Sequence, residues 1–162
     1  MSRSGGRVGF GYDLHRTRVD RPLVLGGVPI PSSVGLQGHS DADVVLHAIC
    51  DAMLGAAGMG DIGELFPDTD PQYKDADSRG LFRDVRSRVE AAGWRVENVD
   101  VVIHAERPRL TPHKPAIRES LMELLDLPLD CVSVKATTNE GLDAIGRGEA
   151  MACSAVALLV PA

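Results

Sequence analysis

The stretch from Val44 to Ala57 constrains the fold most. It is a strongly apolar run at helical period, preceded by Ser40 and Asp43 in the spacing of a capping box and stopped by Gly58 and Gly60. Its polar residues Asp43, His47 and Asp51 stand at i, i+4 and i+8, so they form one stripe on an otherwise apolar surface. A helix that is apolar around most of its circumference is covered by other elements. The stripe is then carried inward, where titratable groups need partners.

The covering elements are legible as short periodic segments. Val8, Phe10, Tyr12 and Leu14 alternate with Gly9, Gly11, Asp13 and His15, the period of a half-buried strand, which puts Asp13 and His15 on one face. Pro22 to Ile30 reads as a second extended segment interrupted by Gly26 and Gly27. A helix with Leu81, Phe82, Val85 and Val89 on one stripe runs from about Ser78 to Ala92 and reads as an ordinary amphipathic cover. Val99 to Ala105 alternates as a strand, Thr111-Pro112 opens a third helix, and Cys131 to Thr137 and Met151 to Val160 read as further strands. Without repeats or a linker, residues 1–162 are expected to form a single α+β domain with helices packed on one face of a mixed β-sheet.

Charge and composition narrow the partners. A net charge of -6 with 4% aromatic residues argues against a nucleic-acid surface, which needs a basic stripe and usually stacking rings. Cys50, Cys131 and Cys153 are odd in number and widely spaced, suggesting neither a disulfide framework nor a thiolate zinc knot, and they suit a reducing cytoplasm. The polar start from Met1 to Gly6 and the lack of a membrane-length apolar run lead us to expect a soluble cytoplasmic protein without a membrane partner.

Several groups of residues can carry chemistry. His47 together with Asp13 and His15 makes two imidazoles and one carboxylate, a composition suited to zinc with one coordination position open. A carboxylate one helical turn away can accept the second ring proton of His47, and Asp51, or else Asp43, is the candidate for that role. Ser40 reads as an N-cap, while the first-turn amides beside His39-Ser40 could also face an anion. Asp61-Ile62-Gly63 and Phe66-Pro67-Asp68-Thr69-Asp70 make a carboxylate-rich loop, either a solvated turn or a site for diol hydroxyls or metal-bound phosphate. Lys135-Ala136-Thr137-Thr138-Asn139-Glu140 offers a cation, hydroxyls and a carboxylate off a strand end, a phosphate-and-metal assortment or simply an edge strand and turn.

Taken in order, Gly11-Tyr12-Asp13-Leu14-His15, His39-Ser40-Asp41-Ala42-Asp43 with His47, the two segments of the Asp61–Asp70 loop, and Lys135-Ala136-Thr137-Thr138 with Gly146-Arg147-Gly148-Glu149 resemble the 2-C-methyl-D-erythritol 2,4-cyclodiphosphate synthase family. The resemblance spans roughly Val8 to Val160. It implies a lyase of non-mevalonate isoprene biosynthesis that converts 4-diphosphocytidyl-2-C-methyl-D-erythritol 2-phosphate into the cyclic diphosphate and CMP. It also implies a homotrimer with sites between adjacent subunits.

By the same resemblance, Asp13, His15 and His47 are zinc ligands, and Glu140 binds a second divalent cation, magnesium or manganese. His39 and Thr138 lie near the reacting phosphates, with Ser40, Lys135, Asn139 and Arg147 among the substrate contacts. Asp61, Ile62 and Gly63, followed by Phe66, Pro67, Asp68, Thr69 and Asp70, form the methylerythritol side. Ala105, Arg109, Leu110 and Thr111, with Ala136 and Thr137, form the cytidine side. Asp143-Ala144 departs from the glycine and bulky apolar residue usual there, which speaks against an isoprenoid diphosphate on the trimer axis. Two other readings use the same residues: a metal-dependent phosphohydrolase that attacks with water, and a non-catalytic trimeric protein that binds metal or phosphate.

Overall fold

The computed structural model describes residues 5–67 and 69–162. In chain order the strands are β1 (Arg7–Arg18), β2 (Leu23–Leu25), β3 (Val28–Ile30), β4 (Gly35–Leu36), β5 (Trp94–His104), β6 (Val132–Thr137) and β7 (Ala150–Pro161). The helices are α1 (Val44–Ala57), α2 (Ile62–Leu65), α3 (Ser78–Ala91), α4 (Lys114–Leu125) and α5 (Asp143–Gly146), with 3-10 turns at Pro71–Tyr73 and Leu129–Cys131. The main sheet runs β4-β1-β7-β5-β6. Its pairs are antiparallel except β5 with β6, which α4 connects as a parallel crossover, so the sheet is mixed.

The segment from Pro22 to Ile30 pairs with itself. Gly26 and Gly27 take φ of +61° and +76°, the left-handed geometry of a tight hairpin turn, and β2 folds back on β3. The partner that the sequence does not reveal for β1 is β7, paired along ten positions from Arg7–Leu159 to Arg16–Ala150.

The long helices lie on one face of the sheet. There Met151, Cys153, Ala155, Ala157 and Leu159 of β7 join the apolar side of α1, Phe82, Val85 and Val89 of α3, and Ile117 and Leu121 of α4 in one core. The single turn α5 is the exception to the expected one-sided packing, since Ile145 rests on Ala150 and Ala152, which alternate with the core-facing residues of β7. Among the described residues no helix is long and apolar enough to cross a membrane, and Cys50, Cys131 and Cys153 are unbridged.

The orientation of β1 is the unexpected feature. Alternation alone assigns its apolar set to the interior, yet Val8, Phe10, Tyr12 and Leu14 point outward, with Val8 70% and Phe10 65% exposed. The glycine face is the covered one. A Cβ on Gly9 would overlap the backbone of Ala52 and Ala56, and one on Gly11 would overlap that of Ala48 and Ala52. Backbone therefore packs on backbone, through a stripe of alanines at i, i+4 and i+8 of α1.

This contact predicts that Gly11→Ala, by driving α1 off the sheet, lowers stability in urea by about 3 kcal/mol. Gly80→Ala serves as the control, because a Cβ on that α3 glycine meets nothing within 4 Å; it should be neutral or stabilising by up to about 1 kcal/mol.

Candidate metal and phosphate site

The three members of the polar stripe on α1 have different fates. Asp43 is the N-cap, wholly buried, and its carboxylate accepts from Gly26 N at 2.9 Å, Gly27 N at 2.7 Å, and Val45 N and Leu46 N at 3.1 Å each. Burial pushes this carboxyl up to about 6, against the pull of those amides toward the charged form. The expected cap, Ser40, instead accepts from Ala42 N at 3.2 Å one turn earlier. Asp51 accepts the Ile62 amide at 2.8 Å and so ties down α2 rather than orienting His47. The reason is geometric: the His47 ring points toward β1 and α3, away from the next turn of its own helix.

His47 meets Asp13 and His15 because β1 carries those residues on its glycine side, facing α1. Asp13 Oδ2 lies 3.0 Å from His15 Nε2 and 3.0 Å from His47 Nδ1, and one ligand atom from each residue falls within 4.8 Å of the others. His15 Nδ1 is 2.8 Å from the Gln37 carbonyl oxygen. A carbonyl only accepts, so in the neutral ring the proton sits on Nδ1 and Nε2 turns a lone pair toward Asp13. Burial opposes ionisation of Asp13, but when the rings are protonated the hydrogen bonds and charge of His15 and His47 outweigh it and hold the carboxyl well below the usual range.

Acceptors converging on one point need a positive charge between them, either ring protons or a metal ion. Two imidazole nitrogens and one carboxylate oxygen fit a divalent ion of the zinc type with a coordination position open. The three residues line a cavity of about 760 Å³ together with His39, Ser40, Ile62, Gly63, Phe66 and the arginines Arg16, Arg18 and Arg21. Arg18 is paired with Asp20. Arg21 donates to the carbonyls of Gly38 at 2.9 Å and Ser40 at 2.6 Å, which fixes the backbone on either side of His39.

His39 donates from Nε2 to the Asp70 carbonyl at 3.1 Å, joining the loop before α1 to the acidic loop. Within that loop Asp61 caps α2 and Asp70 caps the following 3-10 turn, while Pro67 and Thr69 continue the chain between them. Asp68 lies outside the described residues.

The remaining expected site residues gather elsewhere. Lys135 pairs with Asp100 at 2.7 Å, Thr137 bonds the Thr138 carbonyl, Asn139 bonds Asp143, Glu140 N meets Thr138 Oγ1 at 3.3 Å, and Arg147 pairs with Glu149. Ala105 N bonds the Thr137 carbonyl at 3.0 Å, so the loop holding Ala105, Arg109, Leu110 and Thr111 adjoins the end of β6. Leu110 and Ala105 are buried in the core, which leaves chiefly their backbone for recognition. Ala136 packs partly against the same core.

Registers place Asp13, Cys153 and Ile103 side by side, and Thr137 beside His104 one residue on. The two groups therefore share one end of the sheet, three strand positions apart, or roughly 14 Å at about 4.8 Å per strand. None of the second group lines the cavity. Gln37 and Ser78 are functional positions without a sequence signal, since a glutamine that acts through its backbone carbonyl and a serine at a helix start are not distinctive.

A fold of this topology with such a site defines a class. The sequence profile of the YgbB family matches residues 6–160, and the chain belongs to that family. Its relatives are 2-C-methyl-D-erythritol 2,4-cyclodiphosphate synthases, phosphorus–oxygen lyases. The one from Bordetella avium is 55% identical over 153 residues, 94% of each chain. Among solved structures, the bifunctional IspDF of Campylobacter jejuni superposes with a TM-score of 0.94 at 42% identity, covering 98% of this chain and 43% of that longer one. IspF of Plasmodium falciparum, solved as a CDP complex, gives 0.86 at 35% identity over 99% of both chains.

The geometry predicts that Asp13→Asn, His15→Ala and His47→Ala each lose the capacity to take up a divalent ion, while Asp51→Asn, whose side-chain oxygen can still accept from Ile62, keeps it. Elemental analysis of the purified variants reads the difference directly.

Proposed function

We propose that this chain is a cyclodiphosphate synthase that converts 4-diphosphocytidyl-2-C-methyl-D-erythritol 2-phosphate to 2-C-methyl-D-erythritol 2,4-cyclodiphosphate and CMP. The observation that carries the reading is the converging acceptor set of Asp13, His15 and His47 in the lining of a partly basic cavity, in a chain whose relatives at 55% identity bear that name. Asp13, His15 and His47 would hold zinc and Glu140 a magnesium or manganese ion, which together supply charge neutralisation at the diphosphate.

In the reaction an oxygen of the 2-phosphate attacks the β-phosphorus, a new phosphorus–oxygen bond closes the ring, and the bond from β-phosphorus to the bridging oxygen breaks as CMP leaves. The attacking phosphate is already anionic near neutral pH, so no general base is required. His39 and Thr138 position the reacting phosphates, with Ser40, Lys135, Asn139 and Arg147 as further contacts. Asp61, Ile62 and Gly63, with Phe66 to Asp70, enclose the methylerythritol. Ala105, Arg109, Leu110, Thr111, Ala136 and Thr137 receive the cytidine. Holding both phosphates of one molecule in near-attack geometry is worth about 7–11 kcal/mol in well-oriented intramolecular reactions.

The residues for the two ends of the substrate lie in two groups on one chain, and a homotrimer with sites between neighbouring subunits would bring them together. What supports it is the uncovered outer face of β1, where Val8, Phe10, Tyr12 and Leu14 stand beside Val156 of β7. A contiguous apolar face of this kind marks a protein interface.

Two measurements test these proposals. Turnover in oxygen-labelled water should leave both CMP and the cyclic product unlabelled, whereas label on a phosphate would favour a phosphohydrolase using the same ions. Phe10→Asp should reduce the mass in sedimentation from trimer to monomer with an unchanged circular dichroism spectrum, because the side chain faces outward and the core does not depend on it. A trimer that survives this substitution would move the interface elsewhere.

A further inference from the structure

Behind His47, on the side away from Asp13, stands a pair drawn from two distant segments, a buried serine and a half-buried aspartate. Asp41 belongs to the loop before α1, and Ser78 opens α3. The Ser78 hydroxyl donates to Asp41 Oδ1, and the Ser78 amide donates to Oδ2 of the same carboxylate at 3.1 Å. An ionised carboxylate can only accept, so the one hydroxyl proton of Ser78 is committed to Asp41. What Ser78 Oγ has left for His47 Nε2, 2.9 Å away, is a lone pair. The imidazole must therefore donate from Nε2, and in the neutral ring Nδ1, the atom 3.0 Å from Asp13 Oδ2, is left without a proton.

His15 reaches the complementary state through a backbone carbonyl, that of Gln37. Ser78 is only 1% exposed, which keeps bulk water from substituting for its hydroxyl. Ser40 Oγ, at 3.4 Å from His47 Nε2, is the weaker second acceptor. The loop before α1 is also tied to the segment leading into α3, because Asp41 N donates to the Ala76 carbonyl at 3.1 Å and Asp75 N to the His39 carbonyl at 2.7 Å.

We propose that Asp41 and Ser78 are positioning residues that act through His47, holding it in the Nε2–H tautomer so that Nδ1 faces a cation shared with Asp13 and His15. The proposal rests on reading that cluster as a zinc site. Outer partners of metal-bound histidines fix ring orientation and raise ligand basicity, and losing them costs roughly 10–100-fold in affinity. A charged acceptor behind the hydroxyl makes the relay stronger than an isolated serine would be.

The experiment compares the full chain with Ser78→Ala, Ser78→Thr and Asp41→Asn. Zinc affinity is measured by chelator competition, the cobalt-substituted visible spectrum reports ligand geometry, and nitrogen-15 NMR of the His47 ring in the metal-free protein reports which nitrogen bears the proton. Ser78→Ala should bind zinc about 10–100-fold more weakly, alter the cobalt spectrum and release the tautomer preference. Ser78→Thr, which keeps the hydroxyl, should restore all three toward the parent. Asp41→Asn keeps the shape of the carboxylate and should weaken affinity in the same direction, so either variant suffices if the other fails to fold. A folded Ser78→Ala or Asp41→Asn with parental affinity, spectrum and tautomer would overturn the positioning role while leaving the zinc reading intact. Failure of the unsubstituted protein to take up zinc would overturn that reading and the proposal with it.

Discussion

The close approach of α1 to β1 underlies the architecture and the site together. Gly9 and Gly11 present bare backbone, Ala48, Ala52 and Ala56 present methyl groups, and the two layers meet with no side chain large enough to hold them apart. Asp13 and His15 continue the glycine face of β1, and His47 precedes Ala48 on α1, so the same contact fixes how far the carboxylate and the two imidazoles stand from each other. A metal site tolerates displacements of about 0.2 Å in its ligand distances. Small residues on both layers provide that accuracy more rigidly than interdigitated large side chains, which can change rotamer.

Burying α1 on nearly every side leaves its N-terminal amides without water, and Asp43 answers for them. The same carboxylate receives the turn amides of Gly26 and Gly27, so the β2–β3 hairpin is fastened to the start of the helix through one side chain. Burial works against ionisation here, yet an acceptor with this many donors is costly to remove, because each orphaned amide would carry a penalty of about 1–3 kcal/mol. Asp51 plays the matching part at the other end of the stripe by holding the first residue of α2, which lines the cavity. Only His47, between them, is turned toward chemistry.

The outward apolar face of β1 and the separation of the two groups of site residues have one physical reading. A strand that covers its glycine side with a helix still exposes its large residues on the other, and that face requires a partner to remove it from water. On the same sheet end, roughly 14 Å across three strands, lie the loops after β5 and β6 with their cation, hydroxyls and carboxylate. In the assembly proposed above, a neighbouring copy would cover the apolar face and bring its second group of residues toward the first group of this chain.

Secondary structure was mostly legible in the sequence because its signals are local. The apolar period of α1 with Gly58 as stop and the stripe of α3 depend on neighbours within a turn or two, and the observed helices follow them closely, whereas β5 begins at Trp94, ahead of the expected Val99, and the segment from Pro22 to Ile30 divides at its glycines into two strands. The shared face of Asp13 and His15 was legible for the same reason, and so was their fitness, with His47, to hold a metal. The sequence by itself determined which residues go together on a strand or helix. It did not determine which face is covered, because a period of two separates the faces without saying which one meets a helix; that is why the glycines of β1 lie inside and its aromatics outside. Nor did it reveal that His47 is supported by Ser78 and Asp41 rather than by Asp51, because Ser78 stands 31 residues from His47 and 37 from Asp41. Hydrogen bonds across such distances leave no periodic trace in the chain, and only the packing of α3 against α1 brings those atoms within reach.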